Sequence, residues 1–252
     1  MSDLIFVGMV YESFIIIIAF LLLFLIFRKY QEKQQRLTLI LLVIFINFVV
    51  GIVFSWLSKV LRVFTGLEYL SDPNTPSPGT FIAELLLRII AFRFTFLFLV
   101  IGVAISYILK VEAFNEEYKS WEKYSVIIFG LFTGFYLMVF YNKSSLILDL
   151  IAFILIAVYT AMVYLPFMIK SFRMGALVEE SEYKTAFYSL GVMAIGFIGV
   201  LVFQFIDRVF ILLGSPGYTV FYFLGMSSVI VCILGAYLGY IRPGSKEDVQ
   251  KE

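Results

Sequence analysis

The 252-residue chain contains no histidine and a single cysteine, Cys232. Without histidine there can be no His-ligated haem, no His-bearing zinc or iron site, and no Ser-His or Cys-His nucleophile pair. One cysteine permits neither an intrachain disulfide nor a thiolate metal cluster. Charge is scarce as well: 15% of residues, against about a quarter in soluble domains. It balances at a formal +1, with no concentrated stripe of Lys and Arg, so nucleic acid is not an expected partner. No metal and no cofactor are expected.

What fills the chain instead is apolar. Hydrophobic residues make up 62% and aromatic residues 19%, more than a soluble fold can hide from water. A bilayer core of roughly 30 Å needs about 20 apolar residues at the helical rise. Runs of that length fall at 4–27, 37–64, 80–109, 124–141, 146–168, 185–213 and 218–241. The expected fold is all-α, a polytopic membrane protein whose seven-transmembrane bundle occupies 1–242, followed by a short cytoplasmic tail at 243–252. The first run is too long for a signal peptide and has no small-residue cleavage site, so it reads as a retained span.

Orientation follows from the connections. Thirteen Lys and Arg, including Arg28, Lys29, Lys110, Lys123, Lys170 and Arg242, fall on one side, against Lys143, Lys59 and Arg62 on the other. Cytoplasmic loops carry the excess, so the N-terminus is expected outside and the C-terminus inside a cell membrane. The external connection 65–79 carries three prolines and reads as a turn-rich segment. The inner connections 110–123 and 170–184 mix both charge signs, as surfaces for a cytoplasmic protein would.

Ionisable residues inside a membrane are costly, about 2.5 to 3.5 kcal/mol each on insertion scales, and so point to function. Glu12, Glu84, Arg88, Asp149, Asp207 and Arg208 all fall in the outer half of their spans, with Arg93 near the midplane. Glu84 and Arg88 stand four residues apart and can pair on one helical face. Arg93 points elsewhere and needs a carboxylate from another helix, with Glu12, Asp149 and Asp207 as candidates. In the sixth span Gln204, Asp207 and Arg208 share a face with Ser189 and Gly196. Together Glu12, Glu84, Arg88, Arg93, Asp149, Gln204, Asp207 and Arg208 are expected to form an outward-facing polar vestibule above an aromatic floor. Gly130 with Gly134, and Gly235 with Gly239, have the spacing of close helix contacts, and Pro166 is expected to kink the fifth span.

Enzyme chemistry finds little support. Gly225-Met226-Ser227-Ser228 matches a Gly-x-Ser-x pattern, but the histidine to activate the serine does not exist. The seventh span contains no lysine, which excludes a retinal Schiff base. The second span, running through Asn47, Gly51, Ser55 and Lys59, and the exit Leu238-Gly239-Tyr240-Ile241-Arg242-Pro243-Gly244, resemble the seven-helix sensor regions of archaeal and bacterial membrane receptors and histidine kinases. That resemblance implies a receptor-like sensor or signalling subunit. Its expected partners are the lipid bilayer, a small extracellular or membrane-dissolved ligand, a cytoplasmic protein at 110–123 and 170–184, and a second copy of the chain. An ion channel or proton-coupled transporter using the same vestibule is the alternative.

Overall fold

The computed structural model describes residues 2–65, 80–140, 146–215 and 217–241. The external connection 66–79 with its prolines, Lys143, and the tail from Arg242 lie outside the described residues. The elements are α1 (Ser2–Lys33), α2 (Arg36–Thr65), α3 (Phe81–Ile90), α4 (Arg93–Ala113), α5 (Ser120–Val139), α6 (Leu146–Leu177), α7 (Ser181–Leu212) and α8 (Val220–Ala236), which ends in a π-helical turn at Tyr237–Ile241. There is no strand among the described residues. Among the described residues seven helices are long and apolar enough to cross a membrane: α1, α2, α4, α5, α6, α7, and α8 with its π turn. This is the architecture of a multi-pass membrane protein.

Several helices run four to six residues past the expected ends, and two departures are larger. The span expected at 80–109 is broken, because Phe92 adopts a left-handed conformation (φ 58°) and separates α3 from α4. For a residue with a side chain that conformation costs about 1–2 kcal/mol. No glycine or proline marks the break, so its cause is tertiary: Phe92 and Arg93 are both buried and both make contacts with other helices. The fifth span continues through Pro166 to Leu177 and does not stop near Met168.

The helices close into a ring through the contacts α1 with α2, α2 with α4, α4 with α5 and α6, α6 with α7, α7 with α8, and α8 with α1. The most extensive are α6 with α7 and α7 with α8. Water cannot drive such contacts where lipid tails are as apolar as leucine, so small residues that let backbones approach matter more. A Cβ added at Gly235 on α8 would stand 2.7 Å from Met193 N and 2.8 Å from Ser189 O on α7. One added at Gly196 on α7 would stand 2.7 Å from Cys232 Sγ and 3.0 Å from Ser228 O on α8. Gly134 is different: the nearest atom to its added Cβ is Leu97 Cδ1, at an ordinary 3.8 Å.

In the bundle, the end holding the α7–α8 connection also holds the N-terminus of α1 and the end of α2; the end holding the α6–α7 connection is opposite. Gly217 (φ 79°) and Tyr218 (φ 54°) turn the chain tightly between α7 and α8. At the opposite end, Arg36–Glu112 (2.8 Å), Lys110–Glu122 (3.0 Å) and Lys170–Glu116 tie together α2, α4, α5, α6 and the α4–α5 connection.

Gly235→Ala is expected to destabilise the bundle by about 1–3 kcal/mol, because backbone atoms cannot step aside for a methyl group. Gly134→Ala is expected to leave stability unchanged or raise it by up to about 1 kcal/mol through helix propensity. Thermal unfolding of both proteins in detergent checks the pair, and a Gly235→Ala protein as stable as the parent would remove the close α7–α8 contact.

Candidate functional site

The charged residues singled out above do not gather in one place; they sort into four arrangements. The deepest is built on Glu12. Its Oε1 accepts hydrogen bonds from Lys59 Nζ (2.9 Å) and Ser55 Oγ (2.8 Å) on α2, and from the Tyr222 hydroxyl (2.8 Å) on α8. Glu12 and Lys59 are both 0% exposed. The Lys59 ammonium also lies 5.0 Å from the ring centre of Phe92, 5.2 Å from that of Tyr222 and 5.7 Å from that of Tyr218. Ser55 and Lys59 present these groups together because they are one helical turn apart on α2, whereas Tyr218 stands in the turn before α8 and Tyr222 in the first turn of that helix. Glu12 Oε2 has no hydrogen-bond partner among the described residues.

The second arrangement joins α4 to α6. Arg93 Nη2 lies 3.4 Å from Asp149 Oδ1, both buried. Of the three carboxylates considered for Arg93, Asp149 is the one beside it. Close by, the Tyr136 hydroxyl on α5 donates to the Leu148 carbonyl (3.1 Å).

The third is the pair Glu84–Arg88 on α3, at 3.2 Å. Both side chains are partly exposed, and Arg88 reaches the Met138 carbonyl of α5. Neither lines the central cavity. The break at Phe92 explains this, because α3 no longer continues the face of α4 and its i, i+4 pair belongs to the rim of the bundle.

The fourth surrounds a cavity of about 170 Å³ at the centre of the helix ring. Its lining reaches from Arg62 to Phe45 along α2, about 25 Å at the helical rise, and includes α4, α7 and α8 with contributions from α1 and α6. At the α7–α8 end stand Arg62, Gln204, Asp207, Arg208 and Tyr218; at the far end stand Phe45, Phe48 and Phe197. Those rings touch one another, with centres 4.6 Å apart for Phe48 and Phe197, and Tyr164 packs behind Phe197 at 4.7 Å. The Tyr164 hydroxyl is itself hydrogen-bonded to Ser106 (2.8 Å). Most of the lining between these ends is apolar.

The polar groups at the cavity mouth differ in what they have left to offer. Asp207 Oδ1 accepts from the Thr219 backbone N–H (2.8 Å) and hydroxyl (2.7 Å), so it braces the start of α8 across the connection. Arg62 donates to the Tyr218 hydroxyl (3.0 Å). The Arg208 guanidinium lies 5.1 Å from the Phe92 ring centre and 4.8 Å from that of Phe153. Phe92 therefore serves two cations at once, Lys59 and Arg208, and its ring also lines the cavity.

Sequence reasoning counted Lys59 and Arg62 as boundary charges and did not single out Phe92, Tyr218 or Tyr222. The signals that would have singled out Lys59 are its spacing from Ser55 and the need of Glu12 for a cation. Nothing in the local sequence pointed to Phe92. Removing one partner of a buried ion pair leaves an uncompensated charge and costs about 3–5 kcal/mol, whereas replacing both with apolar residues is often neutral. Lys59→Met is therefore expected to destabilise by about that amount, and the double variant Glu12→Leu, Lys59→Met to recover most of it. Thermal unfolding of the single and double variants checks this; additive losses would show that the two side chains do not act as a pair.

No protein-family model, curated protein or solved structure matches this chain. The functional reading therefore rests on the chemistry of the site itself.

Proposed function

We propose that the protein is a receptor-like sensor of the cell membrane, with the N-terminus and the α7–α8 end outside, that binds a small ligand in the central cavity. The Lys and Arg asymmetry between the two sets of connections supports that orientation. The observation that carries the proposal is the form of the cavity. It has a polar mouth at one end and, at the other, the packed rings of Phe45, Phe48, Phe197 and Tyr164. A conduit needs a wet or wettable path to the opposite face, and a plug of contacting aromatic rings does not offer one.

Sensing also needs an element with two arrangements that a ligand can bias. Phe92 is suited to that role. Its left-handed backbone stores strain, and its ring is held by cations on α2 and α7. Strained residues persist where the surroundings over-determine them, and they cluster at switch regions. A ligand that drew Arg208 away from the ring would weaken the restraint on the α3–α4 break and shift α4. At the inner end α4 carries Lys110 and Glu112, which pair with Glu122 of α5 and Arg36 of α2. Movement of α4 would change that ion network, the surface offered to a cytoplasmic protein.

Liposomes reconstituted with folded protein are expected to show no sodium, potassium, chloride or proton flux above empty liposomes. Flux through the purified protein would overturn the sensor reading and make the cavity the vestibule of a channel or transporter.

A further inference from the structure

Two uncharged polar side chains of the cavity lining have groups with no protein partner. Gln204 of α7 is 9% exposed, and its Nε2 donor is buried with no hydrogen-bond partner among the described residues. Thr95 of α4 lines the same cavity, and its Oγ1 is likewise buried without a partner among the described residues. A buried polar group left unsatisfied is costly, so each marks a place where a partner is missing.

The two stand at the same depth. Arg208 meets the Phe92 ring at 5.1 Å, and from that contact α4 leaves with its first residue while α7 arrives in its last turns. Thr95 follows Phe92 by three residues and Gln204 precedes Arg208 by four, so both lie one turn inward of it, roughly 5 Å deeper. They therefore bound one stretch of the cavity from α4 and from α7. Gly225 on α8 makes room for the amide, because a Cβ added there would stand 3.3 Å from Gln204 Cγ and Nε2. The terminal torsion of a glutamine is broad and roughly two-fold, so the NH₂ group can turn from Gly225 into the cavity.

Size and polarity narrow the ligand. A cavity of about 170 Å³ is close to the roughly 150 Å³ of an apolar void that accepts benzene, which suits a single ring. Neither Gln204 nor Thr95 carries a charge, and most of the lining between the cavity ends is apolar, where an ionic ligand would lose its hydration without a countercharge at its side. An amide donor beside a threonine hydroxyl complements a ligand hydroxyl, which accepts from the first and donates to the second.

We propose that the middle of the cavity binds a neutral one-ring alcohol or phenol, whose oxygen accepts from Gln204 Nε2 and whose hydroxyl donates to Thr95 Oγ1. This rests on the reading of the cavity as a ligand site and gives that ligand a chemical class. A ring seated between α4 and α7, one turn below Arg208 and Phe92, would press the two helices apart and part that contact, the movement that sensing requires.

Fluorine NMR of the intact protein in nanodiscs, with empty nanodiscs as the blank for partitioning into lipid, tests this with 4-fluorobenzyl alcohol, 4-fluorophenol, 4-fluorotoluene and 4-fluorobenzoate. At least one of the two hydroxyl compounds should bind, and more tightly than fluorotoluene or fluorobenzoate. Gln204→Leu and Thr95→Val should each weaken that binding about fivefold, the loss of roughly one neutral hydrogen bond, and leave fluorotoluene binding unchanged. Should one of these variants not fold, the other carries the test. Val200→Phe, or Val49→Phe should the first not fold, should abolish binding by filling the cavity. Equal or tighter binding of fluorotoluene or fluorobenzoate, or hydroxyl binding unchanged in either folded polar variant, overturns the alcohol assignment while leaving a ligand cavity. Binding that survives the filled cavity, or no binding of any of the four to folded protein, overturns the assignment and the ligand-site reading together.

Discussion

A lysine ammonium enclosed at 0% exposure in an apolar helix bundle must be neutralised on the spot, and much of the surrounding structure follows from how Lys59 achieves this. Glu12 supplies the countercharge from α1, Tyr222 and Ser55 hold that carboxylate, and three aromatic rings face the cation. Helices α1, α2 and α8 are thereby fastened at one level. The α3–α4 break contributes too, because only a bend at Phe92 leaves α3 and α4 as separate helices with that ring at the cation. Cation–ring attraction is worth about 2 kcal/mol or more when desolvated, comparable with the cost of the left-handed backbone.

The same rings then become walls. Phe92, Tyr218 and Tyr222 also line the cavity, and Arg208 and Arg62 pack on Phe92 and Tyr218. On the proposed ligand-site reading, the side chains that hold the bundle together would also meet the ligand, and binding at the mouth would reach the helix break through them. Along α7 the close approach to α8 at Gly196 and Gly235 holds those two helices together.

The helices themselves were legible in the sequence because a membrane asks for one simple property, about 20 apolar residues in a row, and the chain meets it seven times. Much of the site was legible for the converse reason: each ionisable residue in such a run stands out. Arg93 needed a carboxylate, and Asp149 is beside it. What could not be read was assembly. The break at Ala91-Phe92 lies in a sequence that continues a helical pattern without Gly or Pro, and its cause sits on α2 and α7. With that break unseen, Glu84 and Arg88 were grouped with the interior face when they form a partly exposed pair of their own. Lys59 was taken for a boundary cation because its distance from the end of the apolar run said nothing of Glu12 across the bundle. The expected polar vestibule is correspondingly narrower in the structure, a polar mouth over an apolar cavity.

The proposed sensor requires a cavity that opens to one face of the membrane only. Replacing Gln204→Cys in a Cys232→Ala background, with the protein reconstituted in liposomes, places the sole thiol near the mouth. A membrane-impermeant thiol reagent added separately to each side tests access directly. Labelling is expected only from the face that carries the α7–α8 connection. Labelling of the introduced thiol from both faces would contradict the one-sided cavity and show a continuous aqueous path through the bundle.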